Sequence, residues 1–391
     1  MMEKEGSTIK ICYISTIHTT LNTFVLKSAE YIHEHTDWDI SFICNDEPEW
    51  AAGLPEYIHY IPVHMNRGRS FSPATEKELF EVLKKENFDL VQFSTPNASL
   101  YTAIAAKRAH VPVRLYCQWG IPYDGLTGWK RSFFKQLEKF VCSRATTIEP
   151  DSLSNLQFAL SEGLYPKKKG HVVWNGSACG VDLKKFDISR REEYRQITRN
   201  ELSIPEDAFV FGFVGRVNKD KGINELFGAF RKIEEITGKL YLVVVGRDER
   251  ENHIDKDLNQ WVNENPKIIF TGLSDKVEQY LSAMDCYVLP SYREGFGLSV
   301  AEAEAMGLPV IVTDIPGPTD AMTKGKTGVA VPKKDTEALY GAMLKLYWDG
   351  NRRAEYGSAG PAFIRDHFEQ QELFRRILED RKELLGSVTK H

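Results

Sequence analysis

The stretch SYREGFGLSVAEAEAMGLPVIV, residues 291–312, contains a glycine-broken loop, a helical segment and a short apolar run in immediate succession. Glycines at 295 and 297 disfavour a helix in the first part and let backbone N–H groups approach a ligand closely. Residues 298–306 then predict a helix, and Val-Ile-Val at 310–312 predicts a buried strand. A loop, a helix and a buried strand in this order are typical of one repeat of a parallel α/β sheet.

The same alternation of short apolar runs and helical patterns extends through both halves of the chain. In the first half the predicted strands are Ile9–Ile14, Ile40–Cys44, Leu90–Phe93, Val113–Cys117 and His171–Trp174. In the second half they are Phe209–Val214, Leu240–Val245, Lys267–Phe270, Cys286–Leu289 and Val310–Val312. We therefore expect an α/β chain of two doubly wound, Rossmann-like domains. Ligands of such sheets bind beyond the carboxyl ends of the strands, so two domains facing a central cleft would suit a transfer between two bound molecules.

The composition predicts where the domains begin and end. We expect an N-terminal domain over residues 1–182 and a C-terminal domain over residues 208–365, separated by a polar, charged linker over 183–207. The tail, 366–391, predicts a charged helix with apolar residues on one side. Packing of this helix back onto the N-terminal domain is one arrangement that its apolar side would allow.

The bulk composition excludes several function classes. Of the 391 residues 42% are hydrophobic, which is enough for two sizeable cores. No run approaches the roughly 20 apolar residues of a membrane span, and the net charge of −5 disfavours a nucleic-acid partner. The first ten residues, MMEKEGSTIK, show no apolar signal core, and six cysteines without a CxxC pair suit reduced thiols. We therefore expect a cytoplasmic protein without a zinc site.

An anion site is predicted where the second domain begins, in FVFGFVGRVNKDKGINELF. The buried strand ends at Gly215, Arg216 follows, and Lys221 precedes Gly222 and a helix that begins near Ile223. Two cations beside a helix amino end can hold a phosphate, Arg216 as a fork of donors and Lys221 as a mobile charge. The alternative is that Arg216 pairs with a surface acid and that the Lys-Gly pair only forms a turn.

Two acids in the opening stretch are not explained by packing. Glu294 lies in the loop after a strand end, and Glu302 lies about one turn into the helix. Carboxylates there can accept hydrogen bonds from neighbouring hydroxyls of a sugar ring, while backbone N–H groups near 296–298 hold a phosphate. The acids would bind the hydroxyls of a sugar, and the cations and backbone amides would bind phosphates. Together these groups match the parts of a sugar nucleotide. For Glu302 the alternative is the ordinary preference for acids in the first turns of a helix, and Glu304 is expected to be solvated.

The run from Glu294-Gly-Phe-Gly-Leu to Glu302 resembles the E-x7-E motif of the family 4 retaining glycosyltransferases, which have the GT-B fold. Further segments resemble the C-terminal domain of that family in the same order, namely FVGRVNKDKG, VVVGRDER, IIFTGLSDKVEQYLSAMDCYVLPS and GLPVIVTDIPGPTDAM. The text WNGSACGVDLKKF, before the linker, resembles another landmark of the family. One such motif is common by chance, whereas the ordered set between residues 209 and 332 is specific.

The resemblance implies a site for a nucleotide-activated sugar in the C-terminal domain. Arg216 and Lys221 would bind the diphosphate, Glu294 and nearby amides the sugar and its phosphate, and Glu302 the ribose. Glu294, Arg216 and Lys221 would carry the catalysis. The donor-binding residues that the resemblance implies are Gly215, Arg216, Lys221, Gly246, Glu294, Gly295, Phe296, Gly297, Leu298 and Glu302. No metal or cofactor is implied, because the cations take the place of a metal, and the family favours a uridine over a guanosine donor.

The implied reaction is the transfer of a hexose to a glycan or a lipid-linked saccharide, with retention at the anomeric carbon. The N-terminal segments KSAEYIHEH, QWG and SEGLYPKKKGHVVWNG resemble members that build bacterial capsule or other surface polysaccharides on a lipid carrier. This resemblance implies that the chain works in the cytoplasm, at the inner face of the membrane, with the N-terminal domain on the acceptor side.

The N-terminal half departs from the family pattern at the predicted acceptor side. Many relatives have a histidine after the strand Val113–Cys117, whereas this chain has Gln118 and Trp119 there. Gln118 can hydrogen-bond a sugar hydroxyl but cannot take a proton at neutral pH, so a general base in this domain is in doubt. His18, after the first strand, is a candidate acceptor contact; the alternative is a partly exposed loop histidine.

One segment suggests contact with a membrane. Residues 129–144, in GWKRSFFKQLEKFVCSR, predict a helix with an aromatic stripe, several basic residues and the single acid Glu138. A basic amphipathic helix that starts with a tryptophan can lie in an anionic membrane surface. The alternative is an ordinary helix that faces the core and has a solvated outer side.

Three other functions compete with a transferase. A sugar-nucleotide epimerase of the same two-domain shape would need a base in the N-terminal domain, for which the sequence offers no convincing candidate. A non-catalytic sugar-nucleotide sensor or partner subunit is suggested by Gln118. A dinucleotide oxidoreductase is disfavoured because no GxGxxG follows the first strand.

Overall fold

The computed structural model describes residues 8–65, 71–121, 123–251 and 254–388. Within them it contains two six-stranded sheets in which the paired strands are parallel. The strands of the first sheet are β1 (Lys10–Ile14), β2 (Asp39–Cys44), β3 (Ile58–Pro62), β4 (Leu90–Phe93), β5 (Val113–Gln118) and β6 (Thr147–Pro150). Those of the second sheet are β7 (Phe209–Val214), β8 (Leu240–Val245), β9 (Ile268–Gly272), β10 (Cys286–Leu289), β11 (Val310–Thr313) and β12 (Gly328–Val331).

Both sheets have the strand order of a doubly wound fold. The first runs β3-β2-β1-β4-β5-β6 and the second β12-β11-β10-β7-β8-β9. Counted within its own half of the chain, each sheet has the order 3-2-1-4-5-6, which is the Rossmann order. The predicted fold class of two Rossmann-like α/β domains is therefore confirmed.

Helices connect successive strands and cover the sheet faces. In the first half they are α1 (His18–Phe24), α2 (Leu26–His35), α3 (Pro48–Ala51), α4 (Pro73–Glu86), α5 (Pro96–Arg108), α6 (Gly128–Arg144) and α7 (Leu153–Ser161). In the second half they are α8 (Arg191–Glu201), α9 (Ile223–Glu234), α10 (Lys256–Glu264), α11 (Val277–Ala283), α12 (Leu298–Ala305), α13 (Thr336–Trp348), α14 (Gly350–Phe368) and α15 (Gln370–Val388).

The sequence predicted the central strands better than the edges. The strand predicted at His171–Trp174 is wrong, because those residues follow an isolated bridge between Gly170 and Ile148 and form no strand of their own. Strands β3, β6 and β12 were not predicted. All three lie at a sheet edge; β3 and β6 are interrupted by polar residues, and β12 is a run of only four residues whose middle two are part-buried.

The first sheet is apolar on both faces because helices cover both. Ile11 and Tyr13 of β1 pack into one buried cluster, and Cys12 and Ile14 pack into another. Alternate residues of a strand point to opposite faces, so one short strand contributes side chains to the hydrophobic clusters on both faces of the sheet. The cluster around Ile11 also contains apolar residues of α15.

The chain forms two compact units. The first contains the residues up to Cys179 together with those from Gln371 onwards, and the second contains Gly180–Gln370. Helix α15 therefore belongs to the first unit apart from its first residue. The segment 183–207, predicted as a linker, contributes α8 to the second unit, and one of its charged residues, Arg199, is buried there. Arg199 donates from Nε to the carbonyl of Ala283 (3.0 Å) and from Nη2 to Asp285 (2.8 Å).

A buried arginine fixes α15 on the first sheet. Arg381 is 1% exposed, and its guanidinium pairs with Glu149 of β6 and with Asp380. Its Nη2 also donates to the Gln92 side chain of β4 at 3.0 Å. Asp380 in turn contacts His171, with 2.5 Å between Oδ1 and Nε2. These contacts bring two strands, a loop and the C-terminal helix of one unit together.

Candidate active site

Backbone rather than side chains forms the carboxyl ends of β7 and β8. Gly246 follows β8 with a φ of 136°, and a Cβ there would lie 2.1 Å from the carbonyl oxygen of Gly215. Gly222 has a φ of 69°, and a Cβ there would lie 2.0 Å from the oxygen of Pro290. No side chain fits at either position, so the close approach of these backbone segments at the strand ends requires glycine.

Lys221 and Glu294 are brought together by separate elements of the second unit. Lys221 ends a short 3₁₀ turn just before α9, and Glu294 lies in the loop between β10 and α12. The lysine Nζ contacts Glu294 Oε1, and the Ser291 hydroxyl donates to the same oxygen at 2.7 Å. The two charged side chains are 20% and 14% exposed. The pair is therefore largely shielded from water, at the carboxyl end of the sheet.

Arg216 is close to Lys221 in the sequence, but its side chain has a different partner from that of Lys221. Its side chain is 61% exposed, and Nη1 lies 3.6 Å from Oε2 of Glu249. The preceding residue, Gly215, is adjacent to Lys221, whose Cε would lie 3.8 Å from a Cβ on that glycine. In this structure Arg216 therefore pairs with an acid near the surface, Glu249, as the alternative to an anion site predicts. Glu249 lies in the predicted segment VVVGRDER, but its partner was not predicted.

The loop from Gly295 to Gly297 leads directly into α12. Phe296 is 4% exposed and packs against Phe368, with ring centroids 4.8 Å apart. Gly297 precedes the helix, and within the described residues no side chain caps the start at Leu298. Uncapped N–H groups at a helix start can bind an anion. The buried phenylalanine thus anchors the loop that leads into α12.

Glu302 is a part-buried acid on the second turn of α12. Burial raises its pKa to about 8; Lys185 opposes this shift and Glu278 adds to it. Lys185 itself pairs with Glu278, with 3.7 Å between Nζ and Oε2. At neutral pH the Glu302 carboxyl is therefore mostly protonated. Sequence reasoning found Glu302 but not its two charged neighbours, which lie far away in the sequence.

The expectation that Glu304 is solvated is wrong. Its side chain is 0% exposed, and it accepts a hydrogen bond from the Thr327 hydroxyl at 2.5 Å. Burial raises the pKa of this carboxyl well above its usual value. The cause is the close packing of α12 on α14, where a Cβ on Gly360 would lie 2.7 Å from the Glu304 carbonyl oxygen.

In the first unit, Gln118 lies in the interior rather than at an open edge. It is 0% exposed, its Nε2 donates to Glu138 at 2.5 Å, and its Oε1 accepts from the Tyr165 hydroxyl at 3.1 Å. Burial raises the pKa of Glu138, which also accepts from Tyr116. Protein groups therefore occupy both ends of the Gln118 amide, which leaves no contact for an acceptor in this arrangement.

His18 and Trp119 are partly accessible. His18 is the first residue of α1, not a loop residue, and its side chain is 30% exposed. Its Nδ1 lies 3.4 Å from Oε1 of Glu47, and its ring packs on Trp50. Trp119 is half-buried against Phe24, with ring centroids 5.5 Å apart. His18 follows the carboxyl end of β1, the edge where doubly wound sheets bind ligands.

Helix α6 has two large aromatic residues on its outer side. Trp129 is 75% exposed and Phe133 is 58% exposed. The single acid of the segment, Glu138, is buried. Arg131 and Lys135 both pair with Glu162 at 2.8 Å. Among the helices of the described residues, none is long and apolar enough to cross a bilayer.

Two family models match the chain in sequence order. Residues 10–152 match the family "Glycosyl transferase 4-like", and residues 194–363 match "Glycosyl transferases group 1". The first match covers the first sheet, and the second covers the whole second sheet together with Arg216, Lys221 and Glu294.

Curated relatives extend over most of the chain. The capsular polysaccharide biosynthesis glycosyltransferase CapM of Staphylococcus aureus is 29% identical, covering 87% of this chain and 88% of CapM. The GDP-mannose-dependent alpha-mannosyltransferase of Mycobacterium tuberculosis is 30% identical, covering 84% of this chain and 85% of the relative. The UDP-Gal:alpha-D-GlcNAc-diphosphoundecaprenol alpha-1,3-galactosyltransferase of Escherichia coli is 24% identical, covering 88% of this chain and 89% of the relative.

A solved structure shows the same fold. Anabaena Alr3699/HepE, in complex with UDP and glucose, superimposes with a TM-score of 0.77 at 16% identity, covering 96% of this chain and 100% of that one. The strand order, the matching family models and the 30% identical relative agree with the motifs found in the sequence. The chain is therefore a family 4 glycosyltransferase with the GT-B fold.

Proposed function

We propose that this glycosyltransferase moves a hexose from a nucleoside diphosphate sugar to a glycan or a lipid-linked saccharide, with retention of the anomeric configuration. The observation that carries the proposal is the shielded contact between Lys221 and Glu294 at the carboxyl end of the second sheet. A cation and a carboxylate at this position supply one group for a phosphate and one for a sugar hydroxyl. The uncapped start of α12 adds backbone N–H groups for a further phosphate oxygen.

In the proposed reaction the bond between the anomeric carbon and the diphosphate oxygen breaks, and its electron pair stays on the diphosphate. Arg216, Lys221 and the start of α12 stabilise this growing negative charge, and with these cations the reaction needs no metal. Glu294 positions the sugar, and Glu302 accepts hydrogen bonds from the ribose hydroxyls. Gly215, Gly246, Gly295 and Gly297 let the backbone approach the donor.

The acceptor hydroxyl attacks from the side that the diphosphate leaves, and the departing diphosphate takes its proton. The first unit then needs no histidine after β5, because the leaving group acts as the base. This proposal fits Gln118, whose amide is hydrogen-bonded inside the first unit and cannot take a proton. His18 and Trp119 remain the proposed acceptor contacts.

We further propose that the acceptor is a lipid-linked saccharide of a surface polysaccharide and that transfer occurs at the cytoplasmic face of the membrane. The names of two relatives support this, one for capsular polysaccharide and one for a saccharide on diphosphoundecaprenol. The exposed aromatic residues of α6, with the basic residues around them, would provide the peripheral contact.

A donor screen tests the proposal. The purified protein is incubated with UDP-, GDP- and dTDP-sugars, and release of the nucleoside diphosphate is measured. Selective slow hydrolysis of one donor supports a transferase, and we expect a UDP-sugar because one relative uses UDP-Gal and one structural neighbour binds UDP. The mannosyltransferase relative makes GDP-mannose the main competitor.

Two other outcomes of the screen would overturn the transferase. Tight donor binding without turnover, with any saccharide acceptor added, would indicate a sugar-nucleotide sensor. Conversion of one free nucleotide sugar into another would indicate an epimerase.

A further inference from the structure

Arg216 is the most exposed of the charged side chains in the proposed donor site. Its guanidinium is 61% exposed, compared with 20% for Lys221 and 14% for Glu294. An exposed arginine has many rotamers, and ordering it for one ligand reduces its conformational entropy. The contact that limits its freedom is the one with Oε2 of Glu249, at 3.6 Å.

The backbone of Glu249 is held by an extension of the sheet. Beyond the ends of β7 and β8, Val217 donates its N–H to the carbonyl of Arg247 at 2.9 Å. Glu249 then donates its own N–H to the carbonyl of Val217 at 3.1 Å. These two bonds continue the parallel ladder past the glycines and fix Glu249 next to the segment that carries Arg216.

The side chain of Glu249 is held as well. Asn218 donates from Nδ2 to Oε2 of Glu249 at 3.2 Å, to the same oxygen that faces Arg216. Asn218 is only 8% exposed, so it forms a fixed support for the carboxylate. Glu249 is therefore the ordered member of the ion pair, and Arg216 is the mobile one.

Folding stability does not account for this arrangement. An ion pair with one member 61% exposed and a separation of 3.6 Å contributes little to stability. A guanidinium has five N–H donors, so Arg216 can keep Nη1 towards Glu249 while its other N–H groups face a diphosphate. Glu249 would then orient the arginine without having to leave it when the donor binds.

We propose that Glu249 is a positioning residue that, supported by Asn218, orients the guanidinium of Arg216 towards the diphosphate of the donor. This inference rests on the proposed donor site and adds a residue that does not itself touch the substrate. A misplaced catalytic group lowers the rate more than it lowers binding. The effect of Glu249 must therefore depend on the presence of Arg216.

A double-mutant cycle tests this dependence. The rate of donor hydrolysis and the affinity for UDP are measured for the parent, Glu249→Gln, Arg216→Gln and the double variant, with the nucleotide sugar that the donor screen selects. Asp248→Asn is the matched control, because the neighbouring acid pairs with Arg250 at 3.0 Å and not with Arg216. Melting temperatures of all variants report on folding.

We expect Glu249→Gln to lower the hydrolysis rate constant about tenfold in the parent, with at most a small change in UDP affinity. In the Arg216→Gln background we expect the same substitution to change the rate less than about twofold. Glu249→Asp should restore part of the rate, and Asp248→Asn should behave like the parent.

Two results would overturn the inference alone while leaving the donor site intact. One is a parental rate in Glu249→Gln, and the other is an equal loss in both backgrounds. If the parent binds neither UDP nor GDP and hydrolyses no donor, the proposed function fails as well.

Discussion

Lys221 and Glu294 are 73 residues apart in the sequence and form one shielded contact in the folded chain. Their chemistry could be predicted from the sequence because each follows a strand end beside glycines and a helix start. Their contact could not, because no local pattern encodes a distance between two loops. The same holds for Glu249, whose role depends on Arg216 across two neighbouring strands.

Replacing either member of this pair should reduce catalysis without unfolding the protein. We expect Lys221→Ala and Glu294→Ala each to lower turnover by about 10²–10³-fold, because each removes a group that acts on the reacting sugar phosphate. Steady-state rates with the selected donor measure the effect. Lys219→Ala, an exposed lysine in the same short turn, is the control. Near-parental turnover in either site variant would refute the assignment.

The raised pKa of Glu302, about 8, predicts a pH dependence of nucleotide binding. The ionised carboxylate accepts hydrogen bonds from both ribose hydroxyls, whereas the protonated form has less acceptor capacity. Affinity for the nucleoside diphosphate should therefore rise as the pH increases from about 6.5 to about 8.5, through this pKa. Calorimetric titration of UDP across that range measures it.

Glu302→Gln removes the titrating group and should flatten this profile. The control is Glu355→Gln, an exposed acid on α14. A pH profile that is unchanged in Glu302→Gln would mean that another group causes the dependence.

At the scale of elements, the sequence predicts buried strands well and exposed edges poorly. Strands β7 and β8 are apolar on both faces and were placed correctly, whereas the edge strands β3, β6 and β12 are polar in part or only part-buried and were not predicted. Helix α12 shows the converse problem. Glu304 suggested a solvated face, yet α14 covers it, and burial raises the pKa of this carboxyl well above its usual value.

Helix α6 is the element proposed to contact the membrane. Replacing Trp129 and Phe133 together by Ser should abolish binding to anionic liposomes, because the helix loses the apolar groups that insert between lipids. Flotation with liposomes of phosphatidylglycerol and phosphatidylcholine measures the bound fraction. Trp348→Ser is the matched control, since that tryptophan is 67% exposed in the other unit. Two results would contradict the membrane proposal. One is a parent protein that does not bind the liposomes, and the other is an α6 variant with the same bound fraction as the parent.

At the scale of the whole molecule, both sheets follow from the alternation in the sequence, but the division into units does not. The charged segment 183–207 suggested a linker, whereas its Arg199 is buried in the second unit and donates to the Ala283 carbonyl and to Asp285. Similarly, the charged tail contains Arg381, which is buried in the first unit. Composition alone does not separate a charged residue that pairs inside the protein from one that is solvated.

The buried pairing of Arg381 predicts a large loss of stability when it is removed. Arg381→Ala leaves Glu149 buried without its cation, so we expect the free energy of unfolding to fall by about 3–5 kcal/mol. Urea unfolding followed by fluorescence measures the change. Arg376→Ala, a half-exposed arginine on the same helix, should change it by less than about 1 kcal/mol. Equal effects of the two substitutions would show that Arg381 does not fix α15.

The central claim is that the carboxyl end of the second sheet holds the diphosphate of a sugar nucleotide. A crystal structure of the protein with UDP tests this claim most directly. We predict that the phosphate oxygens lie within hydrogen-bonding distance of Arg216, Lys221 and the amides at the start of α12, with the ribose hydroxyls on Glu302. A nucleotide bound elsewhere, or phosphates that contact neither cation, would contradict the account.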